Sequence, residues 1–406
     1  MIHKSSVSFN IILILLLFHH PVFLVFADAV DVDNEKYTYL KLDSGQELAI
    51  NSFNIPLGLG YRIFAPYNHK IQLNCSYIKR DDDDDEFLYV QTDYTRDNSG
   101  GQSIFVSSNF TKKSLFNQIK IGLRYLGNVN KHKGNATLRG EFQCKVAVIK
   151  ESRCECGWGR QGRIVNGNET EVNEFPSIVA FIHKPSNYTF CGGTIIHHRY
   201  ILSAAHCFQA IVYQNRFEVT IKIGTHNYHN DSSSAYTQTH QLEKIIIHPE
   251  YETTEQDNDI ALVRVSRDII FSRGSGPACL PFKFIETTFY DESVQMVGWG
   301  TISWGGTLSH VLRKVMVNVM DTDECDKKIV WVNEKKLCTY APEKDACQSD
   351  SGGPVYYMEN SRYYVVGIIS FGIKCATHTP GVNTRVTNYL DWITATIKDD
   401  SFCNVQ

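Results

Sequence analysis

Twelve cysteines follow an apolar leader in this chain of 406 residues, and the pairing of the two features fixes the compartment in which it folds. Met1–Asn10 is short and carries Lys4, Ile11–Phe18 is wholly apolar, and Val22–Phe26 leads to Ala27. His19-His20-Pro21 interrupts the run, which leaves it too short to span a bilayer comfortably. With Val25-Phe26-Ala27 as a small-residue cleavage site, residues 1–27 read as a secretory signal peptide. No later stretch is long and apolar enough to cross a membrane. In an oxidising compartment twelve cysteines support up to six disulfides. Asn-x-Ser/Thr sequons at Asn74, Asn109, Asn135, Asn168, Asn187 and Asn230 agree with that route as glycosylation sites. The net charge of −4 gives no basic field for nucleic acid or an anionic membrane surface. The expectation is a secreted, extracellular protein.

Residues 36–150 read as a β-rich domain. In Lys70–Cys75, Ile71, Leu73 and Cys75 share one phase while Gln72 and Asn74 share the other. In Glu141–Val148 the apolar phase takes Phe142, Cys144, Val146 and Val148. Period-two alternation marks half-buried strands. Both cysteines lie on the apolar phase, so Cys75–Cys144 is expected as a buried bridge, with the Asn74 sequon facing water. The acidic run Asp81–Glu86, with Asp93 and Asp97 nearby, reads as a solvated loop, because a calcium site needs ligands converging from several loops. No metal is expected.

Residues 151–163 form a linker that contains Cys154-Glu-Cys156 and ends Gly-Arg-Gln-Gly-Arg163. Its glycines and arginines suit an exposed segment open to proteolysis. In a secreted chain with no second Cys-x-Cys pair, Cys154 and Cys156 read as two disulfide ends. Beyond it strands dominate again. Phe217–Ile223 alternates strictly and Val315–Val319 does so over a shorter span. Leu390, Ile393 and Ile397 fall at helical spacing near the end, on an amphipathic helix that would dock on the β body.

Three separated segments carry the chemistry. Asp345-Ala-Cys-Gln-Ser-Asp-Ser351-Gly-Gly-Pro354 sets a serine in a glycine-rich turn, where its hydroxyl is exposed. Leu202-Ser-Ala-Ala-His206-Cys207 and Asp257-Asn-Asp259-Ile-Ala-Leu262 supply an imidazole and a carboxylate. A serine hydroxyl is a poor nucleophile until a base takes its proton. His206 is the candidate base, with Asp259 to fix its tautomer and stabilise the imidazolium. The chain order His, Asp, Ser is that of chymotrypsin-type proteases and differs from the α/β-hydrolase and subtilisin orders.

With these motifs on the page, residues 164–406 resemble a trypsin-like member of the chymotrypsin (S1) family. Residues 36–150, with Tyr61-Arg-Ile-Phe-Ala-Pro66, resemble a CUB domain of the single-bridge kind that precedes proteases in some arthropod venoms and secretions. The implied fold is all-β: an N-terminal CUB-like β-sandwich, then a chymotrypsin-like double β-barrel with a C-terminal helix. The implied function is a secreted serine endopeptidase with a His206–Asp259–Ser351 triad, needing no cofactor.

The resemblance assigns further residues. Arg163-Ile164-Val-Asn-Gly matches the zymogen cleavage site, and the freed Ile164 amine would pair with Asp350 in the interior. Asp345 would sit at the base of a pocket for Arg or Lys, kept open by small residues at Gly372 and Gly381. The stretch Ser370-Phe371-Gly372 would bind the substrate backbone, and Asn383 stands on the pocket wall where an aromatic is common. Backbone N–H groups of residues 349 and 351 would form the oxyanion hole, but the family's glycine is Ser349 here. A side chain there disfavours the required backbone, and losing one donor costs about 10²–10³ in turnover. The alternative reading that Ser349 supports is a weak or inactive protease homologue that acts by binding.

Disulfides implied by the resemblance are Cys191–Cys207, Cys325–Cys338, Cys347–Cys375 and Cys279 with Cys156 or Cys154. That leaves Cys403 with the second linker cysteine. The family's bridge beside the nucleophile is missing at both ends, which are Val294 and Tyr357. The calcium loop of some trypsins is also absent, since after Gly224-Thr-His-Asn-Tyr228 only Asp231 occurs before Glu243. Expected partners are protein or peptide substrates with Arg or Lys at the cleaved bond. An activating trypsin-like protease or the enzyme itself, and an unknown ligand of the CUB-like segment, complete the set.

Overall fold

The computed structural model describes residues 37–51, 60–65, 69–79, 86–91, 103–106, 110–114, 118–125, 141–150, 155–159, 168–214, 218–301, 305–341, 350–372, 379–398 and 402. Residues 1–27, Asn109, Asn135, Asp81–Asp85, Asp93, Asp97, Cys154, Arg163, Ile164, Asp345, Cys347, Ser349, Cys375 and Cys403 lie outside the described residues. The chain divides into two compact units, one ending at Lys150 and the other beginning at Glu151 apart from a short earlier segment.

In the N-terminal unit the described strands form two sheets. One has the order Tyr37–Lys41, Gly60–Phe64, Gln118–Tyr125, Glu86–Gln91, Ser103–Val106, and its first pair is parallel. The other has the order Glu47–Asn51, Glu141–Lys150, His69–Lys79, Phe110–Lys113 and is antiparallel throughout. Alternation in the sequence becomes alternation in burial: Ile71, Leu73 and Cys75 are buried while Asn74 is exposed. With Cys144, Val146 and Val148 they share one core with Ile63, Val90, Ile119 and Ile121 of the opposite sheet. Cys75 faces Cys144 directly across the strand pair and is bridged to it, with a Cα–Cα distance of 4.0 Å.

The second unit holds two closed barrels. In the first, six strands run in the order Ile178–His183, Tyr188–Ile195, Tyr200–Ser203, Ala261–Val265, Gln238–Ile247 and Val219–Ile223, which pairs back to the first. Val219, Ile221 and Ile223 point into this barrel at period two. In the second, the order is Arg313–Val319, Ser293–Gly298, Pro354–Glu359, Arg362–Gly372, Gly381–Arg385 and Lys336–Tyr340, closed by pairing of the last with the first. Asn168–Glu169 adds a short strand on Arg313 and Lys314. The helix Leu390–Ile397 buries Leu390, Ile393 and Ile397, the residues at helical spacing.

Tyr363 to Ser370 are all buried, with no alternation. One face of this strand fills the second barrel. Its edge before Gly367 pairs with residues 157 and 279: Tyr363 N–H bonds Gly157 O at 2.8 Å, and Val365 N–H bonds Cys279 O at 3.0 Å. Gly157 has φ +70°, and a Cβ there would meet Tyr363 O and Cys279 Sγ, so only glycine fits beneath the Cys156–Cys279 bridge. That bridge settles which linker cysteine pairs with Cys279. Cys191–Cys207 and Cys325–Cys338 are also formed. At the two positions where the resemblance implied no bridge, Val294 is buried and Tyr357 packs on the same core, its ring against Phe284 and Phe289. Apolar and aromatic packing thus fills both positions.

Candidate active site

Asp259 owes its position to the residue before it. Asn258 has φ +51°, a left-handed conformation that Asn tolerates better than most residues. Its amide donates to Glu250 O at 2.8 Å, and its Oδ1 accepts from Tyr389 Oη at 3.1 Å. The turn directs Asp259 inward, where it is fully buried. There Oδ2 accepts from His206 Nδ1 at 2.7 Å and from the Ser370 hydroxyl at 2.5 Å, and Oδ1 accepts from the His206 backbone N–H at 2.9 Å. Burial pushes the Asp259 carboxyl up, but the His206 ring, its charge and the Ser370 hydroxyl outweigh it and hold the group below the usual carboxylate range.

An ionised carboxylate only accepts hydrogen bonds, so the proton between the two groups sits on Nδ1 of His206, and in the neutral imidazole that tautomer leaves Nε2 as an acceptor. His206 opens the helix His206–Gln214 and its side chain is about a quarter exposed. Cys207 ties that helix end to Cys191 on the strand Tyr188–Ile195. Among the described residues, the single set of metal-compatible donors is Cys191, His206 and Cys207. Both sulfurs belong to the disulfide, so no thiolate is available to a metal.

Ser351 arrives from the second barrel. Its carbonyl accepts from Gly192 N–H at 2.8 Å, next to Cys191. Gly352 N–H bonds Ile369 O at 2.8 Å, and Ile369 N–H bonds Gly353 O at 2.9 Å, so the serine turn is stapled one residue from Ser370. Gly352 has φ +77°, and a Cβ there would run into Ser203 Oγ and Gly192 O. The strand Arg362–Gly372 thus carries both the Ser351 turn and the hydroxyl on Asp259. No hydrogen bond joins Ser351 to His206 among the described residues, where Nε2 lies 3.8 Å from Cys207 Sγ.

Other expected site residues divide in the same way. Asp350 Oδ1 accepts from Gly300 N–H at 2.7 Å, and a Cβ on Gly298 would fall on that carboxylate oxygen. Gly372 and Gly381 face each other across two strands, and a Cβ on Gly372 would find only Gly381 Cα, at 3.8 Å. Asn383 is buried and donates to Leu337 O and Thr339 Oγ1, which ties it into the barrel wall. Asp231 is bonded at 2.7 Å by the ammonium of Lys222, which also donates to Tyr228 O. Sequence reasoning missed the Ser370 hydroxyl as a partner of Asp259. It read that stretch for its backbone, and the motif holds no sign of where the hydroxyl points.

Two closed six-stranded barrels with these groups at their seam define the chymotrypsin class of fold. The trypsin family's sequence profile matches residues 164–393, and this chain belongs to that family as a serine endopeptidase. It is 36% identical over 348 residues to "Venom serine protease 34" of Apis mellifera, covering 83% of this chain and 81% of the relative. That match is longer than the stretch from Ile164 to Gln406, so the likeness extends into the N-terminal unit. Identity to "Venom serine protease" of Polistes dominula is 37% over 262 residues, covering 64% of this chain and 94% of the relative. "Trypsin-1" of Astacus astacus is 34% identical over 239 residues, covering 57% of this chain and 99% of the relative. Among the described residues, no helix is long and apolar enough to cross a membrane.

Proposed function

We propose that the chain is a secreted zymogen that is cut after Arg163 and then hydrolyses peptide bonds following Arg or Lys. The observation that supports it most is the buried Asp259 carboxylate holding Nδ1 of His206. In this reading His206 Nε2 takes the Ser351 proton as Oγ attacks the carbonyl carbon, and later returns it to the leaving amine. Asp259 stabilises the imidazolium, and the N–H groups of residues 349 and 351 meet the oxyanion. Asp345 would bind the cationic side chain, with Gly372 and Gly381 leaving room for it. Cutting after Arg163 would create the Ile164 amine, and a buried amine is tolerated only when paired, for which Asp350 is the candidate.

Residues 1–27 would be the signal peptide, 36–150 a CUB-like domain that binds a ligand, and 151–163 the activation linker. Cys156 precedes Arg163 and is bridged to Cys279. Cleavage should therefore leave the N-terminal segment attached, as one band on a non-reducing gel and two with reductant. The chemistry is tested by treating the cleaved protein with a serine-directed phosphonate and assaying Arg-ending and aromatic-ending substrates. Labelling at Ser351 with turnover of the Arg substrate is expected. Absence of labelling would favour the homologue that acts by binding, which the Ser349 substitution suggests.

A further inference from the structure

The turn that delivers Asp259 is held from the other barrel by two adjacent lysines that play no part in the triad. Lys336, at the start of the strand Lys336–Tyr340, is 4% exposed. Its Nζ donates to the carbonyls of Glu255 at 2.6 Å and Gln256 at 3.1 Å. Lys335 donates to Asp257 Oδ2 and Asn258 Oδ1, each at 3.2 Å. One dipeptide thus grips four consecutive residues, and Asp259 comes next. Thr384, the cross-strand partner of Lys336, donates to the Asp259 carbonyl at 2.8 Å. On its other side the Lys336 ammonium lies 5.1 Å from the centre of the Phe371 ring. Phe371 follows Ser370, whose hydroxyl is on Asp259.

An ammonium buried against neutral carbonyls is costly, and an apolar side chain of the same length would pack there without that penalty. Burial pulls the Lys336 pKa down, while Asp257, Asp259 and Glu255 push it back up against Lys335. Arg385, on the neighbouring strand, donates to the Lys336 carbonyl. The ammonium therefore sits within the field of the carboxylates that lead up to and include Asp259.

We propose that Lys336 is a positioning residue for the proteolytic reaction: its ammonium fixes the 255–258 turn so that Asp259 meets His206. The inference rests on the triad reading given above.

The test uses the full-length, Arg163-cleaved protein, with competent sites counted by phosphonate labelling. Lys336→Met is expected to lower kcat about tenfold with KM nearly unchanged. Lys336→Arg, which keeps a charged donor for the same carbonyls, should recover most of kcat. If the Met variant yields no labelled protein, Lys336→Gln reads the same loss of kcat at unchanged KM. A parental kcat in the neutral variants would overturn the proposal. A loss confined to KM would overturn it too, by assigning Lys336 to the substrate strand through Phe371. Asp259→Asn separates the two layers: parental turnover in that variant removes the triad reading itself. A dead Asp259→Asn beside a parental Lys336→Met removes only the role of Lys336.

Discussion

His240 lies on the strand Gln238–Ile247 of the first barrel, opposite Ile221, and is 2% exposed. Its Nε2 sits 3.3 Å from Gln238 Oε1. Burial first, then the charge of Arg267, lowers its pKa to about 3, although a bond with the Arg267 backbone opposes the shift. The folded value is below that of the unfolded chain, about 6.5. Above pH 6.5 both states are neutral at this site and it contributes nothing to the pH dependence. Below it the unfolded chain takes up a proton that the folded one refuses, so stability falls by about 1.4 kcal/mol per pH unit until the folded imidazole also titrates near pH 3. At pH 5 the loss amounts to about 2 kcal/mol. His240→Gln keeps an amide facing Gln238 and removes the titration. Urea unfolding followed by tryptophan fluorescence isolates the relevant unit, because all five tryptophans follow Lys150. Between pH 7 and pH 5 the variant should gain about 2 kcal/mol relative to the parent, with every other titrating group cancelling in the difference. Parallel pH curves for the two proteins would refute the reasoning.

Asp259→Asn should lower kcat by about 10⁴-fold, because a neutral amide no longer fixes Nδ1–H on His206; steady-state rates on an Arg-ending substrate measure this. The Lys314–Glu174 pair is buried on both sides, with side-chain exposures of 5% and 1%. Lys314→Met leaves the carboxylate without its cation and should cost about 3–5 kcal/mol in urea unfolding, and adding Glu174→Gln should recover a large part. Gly298→Ala places a methyl on the Asp350 carboxylate. The cleaved variant should remain folded by circular dichroism and lose about tenfold or more in phosphonate labelling rate, since the serine turn is displaced.

The fold class was legible wherever one residue's chemistry implied its neighbour's direction. Period-two alternation placed Cys75 and Cys144 on buried faces, and they are bridged directly across one strand pair. Helical spacing found the docked face of Leu390–Ile397. For the linker, the sequence left two partners open for Cys279, because Cys154 and Cys156 share the same local chemistry. The choice of Cys156 followed from the pairing of Gly157 with Tyr363, a contact between residues about two hundred positions apart in the chain.

By itself the sequence singled out the groups proposed for the chemistry: His206, Asp259 and Ser351, each in a recognisable local motif and in a telling chain order. Only the tertiary structure decided what surrounds them. The hydroxyl of Ser370, the ammonium of Lys336 and the hydroxyl of Thr384 reach Asp259 or the turn before it from strands of the other barrel. No local pattern encodes such contacts, because they exist only after two closed sheets have met. The carboxylate they surround is buried, so no water can take their place, and the geometry of the pair His206–Asp259 depends on residues that carry no signature of their own.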